Sequence, residues 1–232
     1  MKNLDPHQYW SHYEAKNPFW ISLLPMTEYN TPDEEEINRI NQLQREVLSK
    51  LVHIFDPPLP EGVLERLEKI VSYAGIRKGD IVLDLGTGTG ILIPIIQKYA
   101  PQKVFACDIS EAMLLRLKEQ YDYAETLLCD ARDLTLPDAS IDVVFMNACY
   151  PNIVDKKTTF ENISRMTKPG GRLVISHPMG KSFIDLLRPG VPFPLDDFPG
   201  RSKAVRLLKP FYFNVIGFID EPKLYIMKAI KR

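Results

Sequence analysis

Five short apolar runs in this chain each close on a residue able to do chemistry. Asp84 lies in the first, Val82-Leu83-Asp84-Leu85, and Gly86-Thr87-Gly88-Thr89-Gly90 follows at once. Glycines at such a place let the backbone approach a bound molecule closely and adopt positive φ. The spacing is Gly-x-Gly-x-Gly, whereas a dinucleotide site uses Gly-x-Gly-x-x-Gly. A carboxylate two residues before the first glycine repels a pyrophosphate and attracts an ammonium. Asp108 closes the second run and Asp130 the third. Asp108 taken alone reads as the N-cap of the next helix; about 20 residues after the glycine turn it reads as a ligand group. Asn147 closes the fourth run and His177 the fifth. His177 is the best-placed titratable side chain for general-base work. Tyr150 and Asn152, just after the fourth run, are weaker candidates for touching a substrate.

These residues need a scaffold that brings strand ends together. Ile81–Leu85, Val104–Ala106, Thr126–Cys129, Ile141–Met146 and Arg172–Ser176 read as strands, with helices at Ile91–Tyr99, Glu111–Tyr121 and Lys156–Met166 between them. Strands apolar on both faces, separated by crossover helices, predict a parallel sheet covered on both sides. Phe211–Asp220 and Leu224–Lys231, joined by Glu221-Pro222-Lys223, must pair antiparallel across so short a turn. The expected fold is α/β: a doubly wound, mostly parallel seven-stranded sheet ending in an antiparallel hairpin.

Residues 1–60 differ from the rest. Tyr9, Trp10, Tyr13, Phe19 and Trp20 crowd the start, and Ile37, Ile40, Leu43, Val47, Leu48 and Leu51 recur at helical spacing between Thr31-Pro32-Asp33 and Asp56-Pro57-Pro58. A second helix is expected over Gly62–Ala74, with Gly75 just past its end. The expected organisation is a helical N-terminal cover, 1–60, on a domain spanning 61–232. Pro178–Pro210 carries six prolines and few helical signals before Ser202. It reads as an irregular insertion, of which 178–200 serves the substrate.

Lys plus Arg number 29 against 30 Asp plus Glu, a net charge of −1. That balance argues against a dedicated nucleic-acid binder, whose affinity rests on clustered cations. No stretch approaches the roughly 20 apolar residues of a membrane-spanning helix, and the N-terminus lacks an apolar leader. A cytoplasmic protein is the default. Cys107, Cys129 and Cys149 fit neither a disulfide framework nor a zinc site and read as small buried hydrophobes; no metal is expected.

VLDLGTGTG, VFACDIS, LLCDARDLTLPDASIDVVFMNACYPNI and KPGGRLVIS, in this order, resemble the class I S-adenosylmethionine-dependent methyltransferases, most of all the small-molecule branch with the ubiquinone and menaquinone C-methyltransferases. The resemblance covers about residues 76–178 closely and leaves 14–60 and 179–200 unexplained. It implies a Rossmann-like fold and S-adenosyl-L-methionine as cofactor. Asp84, Gly86, Thr87, Gly88 and Gly90 would hold the methionine portion, Asp108 with Ile109 the ribose, and Asp130 with Ala131 the adenine. Asn147 would lie beneath the transferable methyl, and Tyr13 belongs to an aromatic opening that folds over the cofactor. Asp133, Asp138 and Asp142 read as structural, and Arg132 has no assigned role. Asn147-Ala148-Cys149-Tyr150 lacks the two prolines of the Asn-Pro-Pro-Tyr box, which argues against an adenine or glutamine amino substrate.

The function implied is methyl transfer to a small organic acceptor, at O, C or N. Two alternatives stay open: a nicotinamide-dependent oxidoreductase, against which the glycine spacing speaks, and a non-catalytic S-adenosylmethionine-binding protein. Oligomeric state is not legible.

Overall fold

A computed structural model describes residues 32–55 and 58–232. Seven strands, β1 (Ile81–Leu85), β2 (Lys103–Asp108), β3 (Glu125–Leu128), β4 (Ile141–Asn147), β5 (Thr167–His177), β6 (Phe213–Glu221) and β7 (Leu224–Lys231), form one sheet in the order β3-β2-β1-β4-β5-β7-β6. β1 to β5 run parallel, and β7 is antiparallel to both β5 and β6. Strand order reverses between β1 and β4, which places the ligand crevice beyond their carboxyl ends.

Seven helices surround the sheet among the described residues: α1 (Glu34–Leu51), α2 (Val63–Ala74), α3 (Ile93–Gln97), α4 (Glu111–Gln120), α5 (Lys156–Met166), α6 (Phe183–Leu187) and α7 (Arg201–Leu208). Alternation along the strands feeds two cores. Val82, Val104, Ala106, Val143, Phe145 and Val174 pack on α2 and α3. Leu83, Leu85, Val144, Met146, Leu173 and Ile175 pack with residues of α1, α5 and α7 on the other face. A sheet covered on both faces is what the unbroken apolar strands demanded.

Helix boundaries follow their caps. The Asp33 side chain accepts from Glu36 N–H at 2.9 Å to start α1, and Gly75, at φ +70°, ends α2. Several expected boundaries move. The helix expected over 91–99 shortens to Ile93–Gln97 because its first residues continue the glycine turn. β5 begins five residues earlier than expected: Thr167 pairs with Ile141 and Arg172 with Val143, so Lys168–Gly171 bulges from the register. The 178–210 segment is less irregular than its prolines suggest, since it holds α6 and α7. Ala204, Leu207 and Leu208 give α7 a buried face. Between the two helices, Phe193, Leu195 and Phe198 turn inward from an extended stretch.

The outermost strands differ in build. β6 carries a register shift between Val215 and Gly217, with Ile216 54% exposed. β3, at the opposite edge, is four residues long.

Candidate active site

The turn after β1 is pinned before any ligand is considered. Gly86 and Thr87 both donate their N–H to Cys107 O, at 2.8 and 3.0 Å, tying the turn to β2. Gly86 sits at φ +68°, where a Cβ would come within 2.4 Å of Cys149 Cβ, so no other residue fits. Gly90, at φ +86°, lies against Leu117 of α4. Gly88 differs: φ is +57°, yet nothing lies within 4 Å of where its Cβ would be. The backbone here faces open space, as a ligand-cradling turn requires.

Asp84 is only 2% exposed, and its carboxylate accepts from Thr87 Oγ1 at 2.7 Å. Burial pushes its pKa up to about 7, against the pull of that hydrogen bond, and the neighbouring Asp108 adds to the rise. Asp108 accepts from Gly88 N–H and Ser110 N–H, each at 2.9 Å. Its pKa is also raised by burial, while the amides of Ser110, Gly88 and Ile109 work the other way. Among the described residues, neither acid meets a Lys or Arg.

Asp130 starts the short turn Ala131–Asp133 and caps it through Arg132 N–H at 3.2 Å. Its other oxygen accepts from Asn41 Nδ2 at 2.5 Å. Asn147 Oδ1 accepts from Ser176 Oγ at 3.0 Å across the β4–β5 pair. The next residue, Ala148, takes the left-handed conformation at φ +57°. A non-glycine residue held there at a strand end is the kind of local strain that collects at functional sites.

His177 closes β5 and is 4% exposed. Its Nδ1 accepts from Met179 N–H at 3.1 Å, leaving the proton of the neutral ring on Nε2. The ring packs on Phe183 and Phe198, and burial lowers its pKa to about 4. Phe198 also stacks on Tyr150, at 5.7 Å between centroids, and meets Tyr225 at 4.8 Å. Tyr150 and Asn152 lie in one short helical turn, Tyr150–Asn152. Lys156 reaches from α5 to Asp196 and stands 4.9 Å over the Tyr150 ring, which anchors the 191–199 stretch to the β4 end. Tyr9, Trp10 and Tyr13 lie outside the described residues.

Asn41 and Gln44 of α1 escaped the sequence reading. They interrupt the apolar stripe at helical spacing, and a buried polar residue there signals a partner. Gln44 donates to Asn152 O at 2.8 Å. Arg132 also acquires a role: it holds Glu34, in the first turn of α1, through two bonds of 2.9 Å. Asp142 is structural, accepting from Ile81 N–H at 2.8 Å. Cys107 and Cys149 are buried as expected, while Cys129 is half-buried and its sulfur lies 3.4 Å from that of Cys107.

The Methyltransferase domain family matches residues 83–175, the stretch from β1 to β5. Malonyl-[acyl-carrier protein] O-methyltransferase of Xylella fastidiosa is 33% identical over 138 residues, 57% of this chain and 47% of that protein. Ubiquinone/menaquinone biosynthesis C-methyltransferase UbiE of Vibrio vulnificus is 31% identical over 152 residues, 61% of this chain and 58% of that one. The chain thus spans about half the length of these relatives. Among solved structures, an S-adenosylmethionine-dependent methyltransferase from Aquifex aeolicus aligns with a TM-score of 0.63 at 22% identity, over 79% of this chain and 98% of that one. The 1,6-didemethyltoxoflavin-N1-methyltransferase of Burkholderia thailandensis, solved with 1,6-didemethyltoxoflavin and S-adenosylhomocysteine, aligns at 0.65 and 18%, over 84% and 90%. At these identities the structural likeness speaks for the fold. The family match takes in the glycine turn and the strand-end acids, so residues 83–175 are similar to a methyltransferase domain in sequence, and the chain is similar to S-adenosylmethionine-dependent methyltransferases in fold.

Proposed function

We propose that this chain transfers a methyl group from S-adenosyl-L-methionine to a small organic acceptor. The observation that carries the proposal is the pair of buried acids, Asp84 and Asp108, at neighbouring strand ends, held by neutral donors alone. A carboxylate buried without a cation is costly, and a ligand ammonium beside Asp84 removes that cost. Asp108, fixed by two amides, keeps acceptor capacity for a pair of ribose hydroxyls. The open space at Gly88 admits the ligand chain between them.

In this reading Asp84, Gly86, Thr87, Gly88 and Gly90 hold the methionine portion, Asp108 and Ile109 the ribose, and Asp130 and Ala131 the adenine. Asn147 forms the floor, and Tyr13 joins from the N-terminal segment. When bound, the cofactor supplies an electrophilic methyl on a sulfonium with a good leaving group. The chain then has to orient the acceptor and exclude water. Tyr150, Phe183, Phe198 and Tyr225 pack together with His177 near the β4 and β5 ends, an aromatic setting that suits a flat or apolar acceptor.

His177 is the candidate base. With a pKa of about 4 it is too weak to strip a hydroxyl before attack, but it suffices for a proton made acidic by the methyl's arrival. Taking that proton at Nε2 requires Nδ1 to become the donor, so the Met179 contact must yield.

Residues 1–60 are read as the cover, 61–232 as the catalytic domain and 178–200 as the acceptor loop. The described residues contain no helix long and apolar enough to cross a membrane, and the cysteine spacing suits the cytosol. Calorimetry tests the proposal: S-adenosylmethionine and S-adenosylhomocysteine should bind and raise the melting temperature, NAD should not, and affinity should rise as pH approaches 7 and Asp84 ionises. Stabilisation by NAD alone would overturn it.

A further inference from the structure

α1 lies over the crevice on polar tethers, and one of them ends on a proposed cofactor group. Asn41 is 5% exposed, on the helix face that also carries Ile37, Ile40, Val47 and Leu51. Leucine would serve that stripe better, since a buried amide costs free energy unless it is bonded. Its partner, 89 residues away in the sequence, is Asp130 Oδ2. A carboxylate offers about four acceptor positions, two on each oxygen. On Oδ2, Asn41 occupies one, and Arg132 Nε stands 3.3 Å away without hydrogen-bond alignment. Oδ1 accepts only from Arg132 N–H among the described residues. Each oxygen of Asp130 thus keeps one acceptor position; Arg132 Nε crowds the one on Oδ2, and the one on Oδ1 is the less encumbered.

We propose that Asn41 is a positioning residue for the adenine end of the site: its amide holds the Asp130 carboxylate so that Oδ1 faces the exocyclic amine. The inference rests on the cofactor assignment made above. It adds that α1, which lies outside the glycine turn and the strand-end acids, sets how sharply the site discriminates an amine from a carbonyl on the purine. Gln44 provides the internal contrast. It tethers the same helix to Asn152 O without touching Asp130, so losing it loosens the roof and leaves the carboxylate held.

The test compares S-adenosylhomocysteine with its deaminated counterpart, S-inosylhomocysteine, in which a ring carbonyl replaces the amine. The wild-type chain should prefer the amine by about tenfold or more, as expected of a hydrogen bond to a charged group. Asn41→Leu, which keeps size and apolar fit, should weaken S-adenosylhomocysteine by about tenfold and change S-inosylhomocysteine by less than about twofold. Asn41→Ala serves as the second variant, and thermal melts confirm that each is folded. Gln44→Ala should shift both ligands together. A parallel loss of both ligands in the Asn41 variants would make Asn41 a mere anchor of α1 and overturn the proposal. Tighter binding of S-adenosylhomocysteine would also overturn it, by making the amide a competitor of adenine. If the folded wild-type chain bound neither ligand, the cofactor assignment itself would fall, and the proposal with it.

Discussion

The two ends of the sheet treat their carboxylates in opposite ways. At the amino ends of the strands each acid has a cation: Asp80 meets Arg172 Nη2 at 2.5 Å, and Asp142 meets Lys168 Nζ at 2.7 Å. At the carboxyl ends Asp84 and Asp108 have only a hydroxyl and backbone amides, and burial raises both pKa values. A structural acid is neutralised inside the chain; a binding acid is left with unspent capacity and carries its cost until a ligand arrives. The contrast holds for Asp84 and Asp108; Asp130, the third strand-end acid, has Arg132 Nε at 3.3 Å.

The comparison breaks first at Arg172. Its guanidinium bridges Gly75 O, at 2.9 Å, and Asp80. Arg172→Met should lower stability by roughly 3–5 kcal/mol, because it strands a buried carboxylate. Urea denaturation measures the loss, and affinity for S-adenosylhomocysteine in the folded fraction should not change. A matching loss of affinity would erase the distinction between the ends.

Asp84→Asn should do the reverse. The folded-state pKa of Asp84 lies above its unfolded value, so its contribution is fully present below about pH 4 and is lost as pH rises through about 7. At pH 8 the amide should stabilise the fold by roughly 2–4 kcal/mol while cofactor affinity collapses. His177 titrates with the opposite sign: its depressed pKa withholds stability at pH 4 and restores it by about pH 6.5. In the wild-type chain the two trends oppose each other up to that point. Asp84→Asn should therefore shift the pH dependence between 4 and 6.5 toward rising stability relative to the wild-type chain, although Asp108, also raised by burial, still opposes His177 there; denaturation at several pH values measures the difference.

Asp108→Ala should weaken S-adenosylhomocysteine by about 10- to 100-fold, the worth of a charged acceptor serving hydroxyls. An unchanged dissociation constant in calorimetry would reduce Asp108 to an anchor for the Gly88 turn. The smallest effect belongs to Lys168→Ala. That pair is partly exposed, with side-chain accessibilities of 38% and 20%, and thermal melts should show a loss below about 1 kcal/mol.

The carboxyl-end acids were legible in the sequence because their signal is local: an apolar run, an acid, a glycine turn. The parallel strands and the antiparallel terminal pair followed from alternation and the short terminal turn. What stayed hidden depends on folding distant segments together. Nothing near Arg132 announces Glu34, and nothing near Asp130 announces Asn41. The loop after β5 misled because prolines at 189, 192, 194 and 199 mask short helices on either side of them. His177 was visible as a strand-end titratable group, but the Met179 amide that occupies its Nδ1 appears only once the chain turns back on itself.

The bulge in β6 bears on how the protein behaves in a crowded solution. An outer strand with an unbroken row of amides and carbonyls invites a second chain to continue the ladder. Here the register slip at Val215 and Gly217 breaks that row, and the other border is four residues long with Glu125 held by Lys103. Among the described residues, neither border presents a long straight template. Both features work against hydrogen-bonded growth of the sheet into filaments.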